Sequence, residues 1–374
     1  MYYYYNPVHT IQGNNAISEI PALIKQITAS NARILILAWH SSVFELDSFK
    51  NLINNTDFNV RTQCFSASNP TIYQLFRTYT ETREFLPDVI IAIGGGSVMD
   101  ISKSLCCLYN KEIKSVDDLR TIINQNDYAV SSTKWIGVPT TAGTGSEVTC
   151  WATIWDPEKN AKKSVKCSNN YAYAAIVDPE LTADMPIKLA VSSALDAVAH
   201  AVESYWAKSS NITSKSLALQ AIRLIMNNID GLIEGNPASR EAISQGSMLA
   251  GLAFSNTKTT ACHSISYPLT MHYHIPHGTA VSMLLAPILK INEPEIENLP
   301  LLLETLSVKN ADELKQRIHS ILSRAGIAFK LEQWNVDFKQ LPELAAQGIT
   351  KGRADNNPIN LTPKMIESIL KDIY

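Results

Sequence analysis

Val89-Ile90-Ile91-Ala92-Ile93 is an unbroken apolar run that stops at Gly94-Gly95-Gly96-Ser97, after which Asp100-Ile101-Ser102-Lys103-Ser104-Leu105 resumes with helical spacing. A short apolar run without polar alternation reads as a strand buried on both faces. The glycines at its end permit a tight turn and let a ligand approach the backbone closely. A helix that starts at that turn brings unpaired N–H groups and a partial positive charge to it, which suits a phosphate. The dinucleotide fingerprint Gly-x-Gly-x-x-Gly is absent, so a strand–helix turn without a ligand is the competing reading.

The same pattern recurs on either side. Arg33-Ile34-Leu35-Ile36-Leu37-Ala38 reads as an earlier strand, and Lys134-Trp135-Ile136-Gly137-Val138 as a later one. The later strand runs into Pro139-Thr140-Thr141-Ala142-Gly143-Thr144-Gly145-Ser146, a second loop rich in glycine and hydroxyls. Strands alternating with helices predict a parallel sheet covered on both faces, and two such loops at strand ends make a dinucleotide crevice. After Ile176-Val177-Asp178-Pro179 the period becomes helical, over residues 192–205, 214–228, 238–254 and 311–325. Asn236 before Pro237 and Thr362 before Pro363 read as helix starts. The expected organisation is an α/β, Rossmann-like domain over 1–183 and an all-α domain over 184–374, with no internal repeats. The tyrosine run Met1-Tyr2-Tyr3-Tyr4-Tyr5 reads as an edge strand, because Val8 and Ile11 continue an apolar pattern.

Composition narrows the function classes. The chain has 374 residues, 45% hydrophobic and 18% charged, with a formal charge of −3. Nothing in that balance calls for nucleic acid or an anionic membrane. No apolar stretch approaches the ~20 residues that span a bilayer. The N-terminus lacks the basic region and apolar core of a signal peptide. The six cysteines form no Cys-x-x-Cys pair and read as free thiols in a reducing, cytoplasmic setting.

Asp196-Ala-Val-Ala-His200 sets a carboxylate and an imidazole one helical turn apart on one face. His263 and His277 follow downstream. One oxygen and three imidazole nitrogens suffice for divalent iron or zinc, with a position left open to polarise a carbonyl.

Taken in order, Gly94-Gly95-Gly96-Ser97-x-x-Asp100-x-x-Lys103, Pro139 to Glu147, Val177-Asp178-Pro179-Glu180-Leu181, Asp196-x-x-x-His200 and Ser266 through Pro276-His277-Gly278 resemble the iron-containing (group III) alcohol dehydrogenases over essentially the whole chain. The resemblance implies the dehydroquinate synthase-like architecture, with an NAD(P)-binding Rossmann-like domain, a helical metal-binding domain and a cleft between them. It assigns the metal to Asp196, His200, His263 and His277. It puts the cofactor pyrophosphate on Gly95, Gly96 and Ser97 near Asp100, with Thr140, Thr141, Thr144 and Thr149 on the nicotinamide side. Lys162 would reach the ribose, Asn69 would match an adenosine-side position, and Leu181 would join the cofactor contacts. The implied chemistry is hydride transfer between an aldehyde and a primary alcohol, by a homodimer or larger homo-oligomer. His272 and His274 match no ligand position and are expected to be structural or to line the pocket.

The chain departs from its relatives at three places. Tyr267 stands where many carry a second histidine assigned to proton relay; it can replace that relay or line the pocket. Trp39 stands where NAD-preferring relatives carry an acid, which leaves both NADH and NADPH admissible; Trp39 can stack on adenine or simply pack. Asn256-Thr257-Lys258-Thr259-Thr260 replaces small or apolar residues, and a cation with hydroxyls suits an anionic substrate. The block Lys258 to Thr270 and the segment Gly352-Arg353-Ala354-Asp355 are similar to one branch of the family, the phosphonoacetaldehyde reductases. That similarity makes Lys258, Thr260 and Arg353 candidate substrate contacts and phosphonoacetaldehyde the expected substrate. A general short-chain alcohol or diol dehydrogenase is the alternative. A sugar-phosphate cyclase of the same fold is disfavoured by the Asp/His/His/His set.

Overall fold

The computed structural model describes residues 3–29, 31–159, 161–349 and 352–374. Its first part runs β1 (His9–Gln12), α1 (Ile20–Ile27), β2 (Arg33–Ala38), α2 (Asp47–Ile53), β3 (Asn59–Cys64), α3 (Ile72–Thr82), β4 (Val89–Gly94), α4 (Gly96–Leu108), α5 (Val116–Gln125), β5 (Lys134–Pro139), β6 (Trp151–Asp156), β7 (Ala161–Lys166) and β8 (Ala174–Val177). Helices follow: α6 (Ile187–Trp206), α7 (Ile212–Ile233), α8 (Pro237–Thr257), α9 (Ala261–Tyr273), α10 (His277–Asn292), α11 (Leu299–Thr305), α12 (Ala311–Arg324), α13 (Leu341–Gln347) and α14 (Pro363–Asp372).

Six strands form one sheet in the order β1-β8-β5-β4-β2-β3, every pairing parallel. The absence of polar alternation in β2 and β4 has a direct cause. Leu35, Leu37, Ile90 and Ala92 enter one apolar layer with residues of α3, α4 and α5, while Ile34, Ile36, Ile91 and Ile93 enter the opposite layer with residues of α1 and α2. The chain leaves β3 at the sheet edge and re-enters as β4 on the other side of β2. Strand order therefore reverses between β2 and β4, and ligands of open α/β sheets bind at the carboxyl ends of such strands.

The contacts divide the chain into two compact units. One comprises Pro7–Thr141 and Ser146–Leu181; the other comprises Thr182–Tyr374, Ala142–Gly145 and the N-terminal residues through Asn6. In the helical unit, α6 is buried along nearly its whole length and shares one core with α7, α8, α9, α10 and α12. Two helix starts read from the sequence are capped as expected: Asn236 accepts from the Ala238 amide and Thr362 from the Met365 amide.

Two features differ from expectation. The tyrosine run does not form the edge strand; that strand is His9–Gln12, on β8. Instead the Tyr4 hydroxyl donates to Leu252 O, and Asn256 exchanges hydrogen bonds with the Tyr5 backbone, so the side chain of α8 takes the place of a strand partner. Met1 and Tyr2 lie outside the described residues. Second, β6 and β7 form an antiparallel pair apart from the main sheet. β6 alternates half-buried with buried residues in period two, whereas β7 is mostly half-buried or exposed, a weaker signal than the apolar runs of the main sheet. Among the described residues no helix is long and apolar enough to cross a membrane.

Candidate active site

On α6, Asp196, His200 and Glu203 share a face at i, i+4 and i+7, and all three are buried. His263 lies in the first turn of α9 and His277 is the first residue of α10. His263 Nε2 lies 3.4 Å from Asp196 Oδ1, and His277 Nε2 lies 3.8 Å from the same oxygen. Two ligand atoms at tetrahedral positions on an ion, each about 2.1 Å from it, are about 3.4 Å apart. Asp196, His263 and His277 offer ligand atoms that all fall within 4.8 Å of one another.

Asp196 Oδ1 and His263 Nε2 are both buried without a hydrogen-bond partner among the described residues. Such orphaned atoms cost roughly 1–3 kcal/mol each. A divalent cation would satisfy both, so the donors present fit a metal. Burial alone would raise the Asp196 carboxyl, but the imidazoles of His200, His277 and His263 outweigh it and keep it ionised.

His200 stands differently from the other three expected ligands. It falls outside the compact trio and stacks on Phe254 at 4.2 Å and on His263 at 4.3 Å between ring centroids. Its Nδ1 lies 3.2 Å from Gly143 O, a pure acceptor, so Nδ1 carries the proton and Nε2 keeps a lone pair. Burial pushes this imidazole down to about 4 despite Asp196, which leaves it in the neutral form that ligates.

Tyr267 is one turn beyond His263, and its ring lies parallel to that of His277 at 6.0 Å. The Arg353 guanidinium lies over the Tyr267 ring, 4.8 Å from its centroid. Burial lowers Arg353 to about 10, opposed by Glu203, so it stays charged at neutral pH. Lys258 ends α8 with an exposed side chain and with φ 62° and ψ 180°, a conformation costly for any residue but glycine. Thr260 is fully buried; its hydroxyl donates to Glu203 and accepts from the Trp206 indole, which leaves it no free face for substrate. His272 bonds Gln347, and His274 closes α9 in a left-handed conformation.

The glycine-rich loops are neighbours because β4 pairs with β5 in the register Gly94↔Pro139. Thr140 N donates to Gly94 O, and a Cβ on Gly95 would sit 3.2 Å from the Thr141 hydroxyl. Gly95 precedes α4 without a side-chain cap. The N–H groups of the first turn are thus available to a phosphate, and the loops fit a dinucleotide. The Asn69 amide donates to Ser97 Oγ, and Trp39 N donates to Ile93 O at the strand-order reversal. Trp39 is exposed and Leu181 partly so. Asp100 is raised to about 6 by burial, with Lys103 and Lys162 opposing. Thr149 is enclosed, accepting from Lys103 Nζ at 2.9 Å. Thr144 belongs to the segment Ala142–Gly145 of the helical unit.

Sequence reasoning assigned no role to two residues that organise these parts. Fully buried Lys103 donates to Ser146 Oγ, Thr149 Oγ1 and Trp151 O, tying α4 to the second loop. Glu203 bonds His263; its spacing of seven from Asp196 was the available signal.

Residues 7–179 match the family model for iron-containing alcohol dehydrogenases, and residues 190–374 match the C-terminal model of the same family. The NADPH-dependent butanol dehydrogenase of Clostridium saccharobutylicum is 29% identical over 317 residues, covering 82% of this chain and 81% of that one. The sulfoacetaldehyde reductase of Bilophila wadsworthia is 30% identical over 283 residues, 75% of this chain and 72% of that one. The crystal structure of sulfoacetaldehyde reductase from Bifidobacterium kashiwanohense in complex with NAD+ has a TM-score of 0.89 at 26% identity, covering 100% of this chain and 98% of that one. The match to the longer aldehyde-alcohol dehydrogenase of Streptococcus pneumoniae spans only 31% of that protein. With both halves matched in order over a shared fold, the chain belongs to the iron-containing alcohol dehydrogenase family.

Proposed function

We propose that this protein reduces an aldehyde to a primary alcohol with NAD(P)H, and that the aldehyde carries a compact anionic tail, phosphonoacetaldehyde giving 2-hydroxyethylphosphonate. A divalent iron or zinc ion at Asp196, His263 and His277, with His200 beside them, would polarise the carbonyl, and NAD(P)H would supply the hydride. The residues of the chain do the rest. Asp196 stays ionised and balances a cation. The first turn of α4, with Gly95, Gly96 and Ser97, offers backbone N–H groups to the pyrophosphate. Trp39 puts no negative charge where a 2′-phosphate would lie, so either cofactor is admissible. Tyr267, parallel to the His277 ring, is positioned to hold a proton for the developing alkoxide.

The observation that carries the anionic tail is Arg353. This guanidinium forms no ion pair among the described residues, yet it rests on Tyr267, which in turn faces the metal-ligand candidate His277. A planar fork of donors beside a carbonyl-polarising centre matches a two-carbon aldehyde ending in three oxygens. Lys258, exposed at the end of α8, is the second cation of the same reading. The similarity to two sulfoacetaldehyde reductases favours a sulfonate as the second reading, since sulfonate and phosphonate share size and shape.

The test is a panel of phosphonoacetaldehyde, sulfoacetaldehyde and butanal, each assayed with NADH and with NADPH. Loss of one charge-assisted contact is worth about 1.5–3 kcal/mol. Arg353→Ala is therefore expected to raise KM for the anionic aldehyde about tenfold or more relative to KM for butanal. Equal changes for charged and neutral aldehydes would remove the anionic tail from the assignment and leave a general alcohol dehydrogenase.

A further inference from the structure

We infer that Glu203 is the positioning residue of the candidate metal centre, setting both the place and the rotation of His263; this rests on the metal reading of Asp196, His263 and His277. Its two carboxylate oxygens have separate tasks. Oε1 accepts from the Thr260 hydroxyl at 2.8 Å, from the Cys262 amide at 2.7 Å and from the His263 amide at 3.4 Å. Those groups open α9, whose own N-cap residue Thr260 supplies no side-chain cap. Oε1 thus caps the helix that carries His263, with a negative charge at its positive end. Oε2 bonds Nδ1 of the His263 ring.

The consequence lies on the far side of the ring. With Nδ1 donating to a carboxylate, the lone pair of a neutral His263 is on Nε2. That nitrogen has no hydrogen-bond partner among the described residues, and it lies 3.4 Å from the equally unpartnered Asp196 Oδ1. Glu203 and Asp196 stand on one face of α6, so a single helix carries a ligand and the group that aims the ligand from α9. A carboxylate behind a ligating imidazole fixes its tautomer and raises its basicity. A purely structural helix cap would account for Oε1, and an ion pair for Oε2; neither would require both orphaned atoms to meet.

The experiment measures Zn²⁺ affinity of metal-stripped protein by competition with a colorimetric chelator, for wild type, Glu203→Gln and Glu203→Asp. Glutamine has one acceptor oxygen and cannot serve both the α9 amides and the imidazole. About a ten- to hundredfold weaker affinity is expected for the Gln variant, with the Asp variant between it and wild type. Circular dichroism checks that each variant is folded. If Glu203→Gln does not fold, Glu203→Asp, which keeps the charge and withdraws it by one methylene, carries the comparison. Folded variants that bind Zn²⁺ like wild type would overturn the positioning role while leaving the metal centre standing. Wild type that binds no stoichiometric Zn²⁺ or Fe²⁺ would overturn the centre itself, and the role with it.

Discussion

Glu147 shows what a single enclosed carboxyl does to this protein. It lies 3% exposed, packed against Gly137, where a Cβ on the glycine would come within 2.9 Å of the Glu147 Cβ. Burial raises its carboxyl from 4.5 to about 7, and the Lys103 charge opposes that only in part. A carboxyl raised on folding contributes stability below its unfolded pKa and loses it as pH climbs through the folded value. Between about pH 4.5 and pH 7 wild type should therefore lose up to roughly 3 kcal/mol through this group. Glu147→Gln cannot ionise, so its stability relative to wild type is expected to rise across that window and level off above it. Urea melts at pH 4.5, 6 and 8 measure this, and a constant difference at all three would show that the group does not titrate as argued. Residues of this kind were hard to read beforehand. Asp196 and His200 announce themselves by spacing, and His263 and His277 by residue type. Glu147, Lys103 and Glu203 are charged residues whose role depends on what encloses them, which no local pattern encodes.

At the scale of elements, the apolar runs of β2 and β4 were legible because burial on both faces leaves no room for polar residues. The helical period after residue 186 was legible for α6, α7, α8, α12 and α14. The β6–β7 pair was not, since a half-buried strand with three lysines in six residues, on both of its faces, resembles a loop. Nor was α9 distinct, because it is buried on nearly every side and so carries little amphipathic signal. The meeting of α10 with α6 depends on a different kind of detail. A Cβ on Gly278 would stand 2.0 Å from Ser192 O and 3.0 Å from Asp196 Cβ. No rotamer relieves a clash with a backbone oxygen, so Gly278→Ala must push the first turn of α10, and His277 with it, away from α6. Overpacking of this sort costs typically about 1–3 kcal/mol. The variant is expected to lose that much in a urea melt and to bind Zn²⁺ at least about tenfold more weakly. Unchanged stability together with unchanged metal affinity would mean the two helices have slack that the geometry denies.

Across the whole molecule the candidate metal ligands and all but Thr144 of the candidate dinucleotide contacts fall in different compact units. Asp196, His200, His263 and His277 belong to the helical unit, whereas Gly95, Gly96, Ser97, Asp100 and Thr141 belong to the sheet unit. A ligand stabilises what it binds by RT ln(1 + [L]/Kd), about 2.7 kcal/mol at a hundredfold excess over Kd. Opening reactions in each unit should thus respond to their own ligand, because local unfolding free energies need not be uniform along a chain. Hydrogen exchange read by mass spectrometry separates the responses. Zn²⁺ alone is expected to slow exchange in peptides from α6, α9 and the first turn of α10. NADH or NADPH alone is expected to slow it in the Gly94–Ser97 turn and the start of α4. If Zn²⁺ protected the sheet unit as strongly as α6 and α9, the chain would open as one cooperative body, and the separation of ligand groups between units would have no energetic counterpart. If the dinucleotide left the α4 turn unprotected, the reading of that turn as a phosphate site would fall, with the metal centre untouched. Protection confined to each ligand's own unit would instead show that metal and dinucleotide can each load without the other, and an activity assay that adds them in either order should then reach the same rate.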